Sequence, residues 1–219
     1  MINKHESKLT VQPKLEGTGK VNKISKIILI MGTPGVGKTL ISQHLAREID
    51  AIHIDLGELV KREGLIAGTD KARKTLIADK QKLSKRVQGI IKQQKEKSNI
   101  VIDGHYATDI IPPKDVTKVF VLRRHPEELK QMMEKRGFKN HKLWENLAAE
   151  ILDICLYDAV KACGTDKICE IDVTGKNVKE VTDQIISVLD CKKPCMIKIV
   201  DWLGQLEQEK RLDEFLKEF

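Results

Sequence analysis

The sequence predicts an α/β fold, a five-stranded parallel sheet with helices on both faces. Three observations predict it. Short apolar runs rich in β-branched residues alternate with stretches of helical periodicity along residues 25–190. One strand-to-helix junction carries Gly32-Thr33-Pro34-Gly35-Val36-Gly37-Lys38-Thr39, which fits the pattern G-x-x-x-x-G-K-[ST]. No apolar run approaches the roughly 18 residues that a membrane-spanning helix needs.

The first strand is Ile27 to Met31, an uninterrupted apolar run of the kind buried on both faces. Leu40 to Ile49 follows as a helix, with apolar residues at 41, 45 and 49. Between them, glycines allow a tight turn whose N–H groups approach phosphate oxygens, and the helix N-terminus adds partial positive charge. Gly32, Gly35, Val36, Gly37, Lys38, Thr39 and Leu40 are the expected nucleotide-holding residues. Lys38 is placed to reach the β- and γ-phosphates, and the Thr39 hydroxyl to sit on Mg²⁺.

Residues 51–55 read as the second strand and 56–62 as the start of a helical stretch broken by Gly64 and Gly68. A helix is expected over 75–97. Segment 61–97 is the most basic part of the chain. The third strand, 99–103, ends in Asp103, on the sheet edge that faces ligands in open parallel sheets. Asp103 is therefore the expected acidic partner of Thr39 for Mg²⁺, with His105 over the same site as a group that orients water or a phosphoryl acceptor. Residues 116–122 form the fourth strand, followed by Arg123. His125-Pro126 opens a helix to about Lys135. Arg136-Gly137 begins a short break, where a closing lid would place an arginine. A long helix over 141–162, a fifth strand over 168–172 and a helix over 177–189 complete the alternation. Arg123 and Arg136 are expected to stabilise negative charge on a transferring phosphoryl group, because planar guanidinium offers paired donors.

Residues 1–24 read as a disordered leader, and 191–219 as an amphipathic helical extension that packs on the body or binds a partner. Of 219 residues, 41% are hydrophobic but only 4% aromatic, so the core is aliphatic. The net charge of +7 fits attraction to polyphosphate, to nucleic acid or to an acidic partner, and equally a lysine-rich surface. No secretory signal precedes the first strand, so an intracellular protein is expected. The five cysteines form no Cys-x-x-Cys pair and are expected as reduced thiols; a zinc site is the alternative, with little support from the spacing. Asn-Lys-x-Asp and Leu-Ser-Gly-Gly-Gln are absent, against a switch GTPase and a transporter ATPase.

Asp-Leu-Gly-Glu-Leu at 55–59, Asp103-Gly104-His105, Val119 to Arg123, Lys135-Arg136-Gly137-Phe138, Lys142-Leu143, Asn146 and Glu150-Ile151 follow the loop in order. Over about 25–190 the chain resembles the atypical adenylate kinases of the sixth isoenzyme type, which include the coilin-interacting nuclear ATPase and archaeal relatives. The resemblance implies a P-loop nucleoside monophosphate kinase fold with a small monophosphate-binding insert at about 56–79 and a short lid at about 135–145. It implies ATP and Mg²⁺ as cofactors, AMP or another monophosphate as acceptor, ATP hydrolysis, and a role in small-subunit rRNA maturation. The implied partners are the platform ribosomal protein of the universal S-eleven family and the pre-ribosome, bound transiently by a monomer in the cytoplasm, or in the nucleus of a eukaryote. Direct RNA contact stays open. Gly57, Lys61 and Arg62 fall in the acceptor-binding helix, where the family pattern Gly-Asp-Leu-x-Arg reads Gly57-Glu58-Leu59-Val60-Lys61 here. Lysine lacks the arginine fork, which favours an assembly ATPase with little kinase activity as the alternative, beside a small-metabolite kinase of the same fold. Position 108 is Thr, with the acid displaced to Asp109, and the lid lacks cysteines.

Overall fold

The computed structural model describes residues 25–70, 75–94 and 96–216. The leader expected over 1–24 lies outside them. The chain runs β1 (Ile27–Met31), α1 (Lys38–Glu48), β2 (Ala51–Asp55), α2 (Leu56–Glu63), β3 (Ile66–Asp70), β4 (Thr75–Ala78), α3 (Lys80–Gln94), β5 (Asn99–Asp103) and α4 (Ala107–Ile110). It continues with β6 (Lys118–Arg123), α5 (Pro126–Lys135), α6 (Asn140–Ile151), α7 (Ile154–Cys163), β7 (Ile168–Asp172), α8 (Val178–Leu189), α9 (Trp202–Gln208) and α10 (Leu212–Phe215).

Five strands form one parallel sheet in the order β2-β5-β1-β6-β7, with β1 at its centre. All of β1 is buried, and its side chains alternate between two cores. Ile28 and Ile30 pack with residues of α1, α5, α6 and α8, whereas Ile27, Leu29 and Met31 pack with residues of α2, α3, α4 and α7. The parallel register brings the C-terminal ends of β1, β2, β5 and β6 to one edge, with Asp55 paired to Asp103 and Ile30 to Asp103.

The structure departs from the sequence expectation in three elements. The helix expected from residue 75 begins only at Lys80. Thr75 to Ala78 instead pairs antiparallel with Ile66 to Asp70, and Asp79 stops the strand by capping α3, its carboxylate accepting from the Lys82 N–H at 3.0 Å. The single helix expected over 141–162 is two. The chain breaks at Asp153, whose φ of 57° is left-handed and whose carboxylate meets the buried Arg123. Third, the cysteines are not all reduced thiols: Cys169 of β7 is bonded to Cys195, their Cα atoms 5.0 Å apart. The partners come together because the chain after α8 returns along β7, the Glu170 N–H donating to the Met196 carbonyl at 2.8 Å. Trp202, Leu206 and Phe215 then bury themselves in the core on the α1 side of the sheet. No helix among the described residues is long and apolar enough to cross a membrane.

The disulfide predicts a simple chemical result. Alkylation of the unreduced, denatured protein should modify Cys155, Cys163 and Cys191 only, and reduction should raise the count to five. Closing a loop of this length is worth about 3.5 kcal/mol, so a reductant should also lower the thermal midpoint. Five reactive thiols without reduction would contradict the pairing.

Candidate active site

The loop between β1 and α1 crosses the sheet edge where the strand ends converge. Two of its glycines are dictated by geometry. Gly32 has φ 139°, and a Cβ there would stand 2.6 Å from the Leu122 carbonyl oxygen of the neighbouring strand. Gly37 has φ 112° and begins α1 without any side-chain cap, which leaves the first amides of that helix free to bind an anion. The Lys38 ammonium folds back over the loop and donates to the carbonyls of Gly32 at 2.8 Å and Thr33 at 3.0 Å. Desolvation lowers its pKa below the ordinary lysine range, while Cys155, Asp103, Glu150 and Asp55 act in the opposite sense.

Asp103 is only 2% exposed, and neither carboxylate oxygen accepts a hydrogen bond. Its near neighbour is His53, with Nε2 at 3.5 Å from Oδ1. An ionised carboxylate buried with so little compensation is costly unless a cation meets it. The oxygen donor set of Asp103 and the exposed Thr39 hydroxyl is the chemistry that a hard divalent cation takes. The residues present therefore fit Mg²⁺. Thr39 donates to Asp55 Oδ2 at 3.3 Å, which leaves its oxygen lone pairs for a metal.

His105 is exposed beyond β5, and its ring meets Tyr106 edge-on at 4.5 Å between centroids. Partial desolvation, then the charges on Lys38 and Lys80, lower its pKa to about 4 against the pull of Asp109. It is therefore a neutral imidazole at neutral pH, able to accept a proton or orient a water.

Arg123 is a correction. The sequence places it beside the transferring group, but it is 1% exposed and all its side-chain nitrogens are engaged. Nε donates to Glu150 at 2.9 Å, Nη1 to Glu170 at 2.5 Å, and Nη2 to the Glu150 carbonyl at 2.9 Å and to Asp153. The guanidinium is committed to joining β6, β7 and the α6–α7 corner, and it is not offered to a ligand. The next residue lies at the loop instead. Arg124 Nε donates to the Val36 carbonyl at 3.2 Å, and Nη1 meets Glu128.

Glu150 joins the two systems. Buried, it accepts from the Thr33 hydroxyl at 2.5 Å and from the Arg124 N–H at 3.0 Å as well as from Arg123. A carboxylate on α6 thus fixes the floor of the phosphate loop. The spacing signals that α6 is amphipathic, but gives no hint that one of its buried positions is ionic.

The remaining expected residues are spread around this centre. Arg136 ends α5, exposed and without a side-chain partner among the described residues, and the break it opens is closed by the Phe138 N–H donating to the Met133 carbonyl at 3.0 Å. On α2, Gly57 lies against the Asp55 cap, Lys61 is exposed, and Arg62 is 3.6 Å from Glu63, which also holds Arg86. Leu40 is exposed at the start of α1.

A family model described as an AAA domain matches residues 28–153, from β1 through the loop, Asp103 and Glu150. A protein of Methanocaldococcus jannaschii described as "Putative adenylate kinase" is 39% identical over 175 residues, covering 80% of this chain and 92% of its own. One of Methanothermobacter thermautotrophicus with the same description is 36% identical over 181 residues, covering 82% of this chain and 99% of its own. Among solved structures, thymidylate kinase from Candida albicans superposes with a TM-score of 0.52 at 15% identity, covering 77% of this chain and 92% of its own, a likeness of fold alone. With this extent of identity to the archaeal proteins and the phosphate loop seated at the centre of a P-loop kinase sheet, the chain belongs to their adenylate kinase-like family.

Proposed function

We propose that the chain is an ATP-dependent nucleoside monophosphate kinase that moves the γ-phosphoryl group of ATP to AMP or a related monophosphate. The observation that carries this reading is Lys38 and the uncapped start of α1 at the strand ends, together with a buried Asp103 carboxylate that accepts no hydrogen bond. In this reading Lys38 exchanges its contacts to the Gly32 and Thr33 carbonyls for phosphate oxygens, and the loop amides orient the β- and γ-phosphates for in-line transfer. Thr39 and Asp103 hold Mg²⁺, which when bound neutralises charge on those phosphates. Region 56–79, with Gly57, Lys61 and Arg62, receives the acceptor. Region 135–145 is the lid, and Arg136 closes on the nucleotide and excludes water. Arg124, already bound to the loop through Val36, stiffens the phosphate cradle.

A second activity has specific support. Lys61 stands where the resemblance expects the arginine that grips the acceptor phosphate, and His105 is a neutral imidazole near Lys38. Both favour water as an acceptor beside AMP. Together with the motif run of the sixth-isoenzyme type, they support an ATPase role in small-subunit rRNA maturation, with the platform ribosomal protein as transient partner. Measuring ADP formed from MgATP with AMP, without AMP and with that ribosomal protein separates the two. AMP should accelerate ADP formation strongly, with two ADP appearing per ATP consumed. Slow hydrolysis indifferent to AMP, but changed by the ribosomal protein, would leave the chain an assembly ATPase on a kinase fold.

A further inference from the structure

The nucleotide site described above uses one carboxylate, Asp103. A second stands beside it. Asp55 ends β2 in direct register with Asp103 at the end of β5, so their Cα atoms are neighbours across a parallel ladder. Successive residues of a strand point to opposite faces and paired residues to the same one, which puts both carboxylates on one side of the sheet edge. Both also act on the Lys38 ammonium.

The two oxygens of Asp55 have different partners. Oδ1 accepts from the Glu58 N–H at 2.9 Å and caps α2. Oδ2 accepts from the Thr39 hydroxyl at 3.3 Å. A hydroxyl that gives its hydrogen to a carboxylate presents its lone pairs elsewhere, which is the orientation needed to ligate a cation. The buried Asp103 oxygens, free of any hydrogen bond, supply the independent sign that a cation belongs at this edge.

We propose that Asp55 is the second carboxylate of the divalent-cation site. It orients Thr39 as a ligand, adds its charge to that of Asp103 around the cation's water shell, and through its other oxygen ties the cation to the first turn of α2. The acceptor helix and the metal would then be held by one side chain. This rests on the kinase reading given above.

The cap and the cation role can be separated. Asparagine and serine are both strong N-caps, so Asp55→Asn and Asp55→Ser keep α2 anchored while removing the charge. Binding of Mn²⁺ to the full chain with saturating ADP would be followed by the paramagnetic resonance signal of free Mn²⁺, with ADP affinity in chelator and the thermal midpoint measured in parallel. Both variants should bind Mn²⁺ about 10-fold more weakly, with the midpoint held and ADP affinity in chelator not reduced. Asp103→Asn is the companion. If Asp103→Asn weakens Mn²⁺ binding but both Asp55 variants stay within about twofold of the parent protein, Asp55 only caps a helix and the inference fails while the kinase reading stands. If the parent protein with ADP holds no Mn²⁺, the kinase reading fails and the inference with it.

Discussion

Lys38→Ala is expected to lower phosphoryl transfer by at least roughly 10²–10³-fold, the usual cost of losing a single preorganised donor to transition-state charge. Hydrolysis and transfer to AMP should fall together, since both need the γ-phosphate held. The fold should not suffer. In the structure Lys38 is a desolvated cation resting on two carbonyls, and removing a desolvated charge relieves a cost. The thermal midpoint should therefore hold or rise while activity disappears. Steady-state assays beside a melting curve check both parts. Activity within tenfold of the parent protein would place the chemistry somewhere other than this loop.

Arg123→Leu is expected to have the opposite signature. The buried guanidinium joins Glu150, Glu170 and Asp153, and its loss strands two carboxylates in the interior. Breaking a buried ion network by removing one member costs about 3–5 kcal/mol. For a chain of this size that is a fall of about 10 °C in the thermal midpoint. Burial by itself disfavours the charged arginine, but Glu150, Asp153 and Glu170 outweigh it and keep the pKa above the ordinary range. Burial raises the Glu170 pKa even with the Ile199 N–H and Arg123 beside it. Without Arg123, Glu170 should bind its proton still more tightly than in the unfolded chain. The penalty is then full at neutral pH and shrinks as pH falls through the raised Glu170 pKa, so the deficit in midpoint should be larger at pH 8 than at pH 5.5. A variant that keeps its midpoint but loses turnover would restore Arg123 to the reacting group.

These two residues also mark what the sequence could convey. Strands β1, β5 and β6 were legible because each is a short, mainly apolar run that must be buried, and the phosphate loop because its glycines and Lys38 have a spacing set by the ligand. Arg123 and Arg124 are adjacent in sequence and opposite in role. Which of them meets the loop depends on Glu150, Glu170 and Asp153, which lie 27, 47 and 30 residues away. The β3–β4 hairpin has no local signature, because four residues with helix-like neighbours become a strand only through pairing with Ile66 to Asp70. The Asp153 break falls where Asp153 meets Arg123 and has no local signal. Asp55 carries a sequence signal as a strand-terminal acid like Asp103, but its register with Asp103 is a fact of the sheet.

A nucleoside monophosphate kinase delivers the γ-phosphoryl group of ATP to the monophosphate, and ATP labelled in that phosphate, followed with AMP present, reports the transfer. The label should appear in the β-position of newly formed ADP, and inorganic phosphate should stay a small fraction. Label found wholly in inorganic phosphate, with AMP recovered unchanged, would mean that water and not the monophosphate is the acceptor.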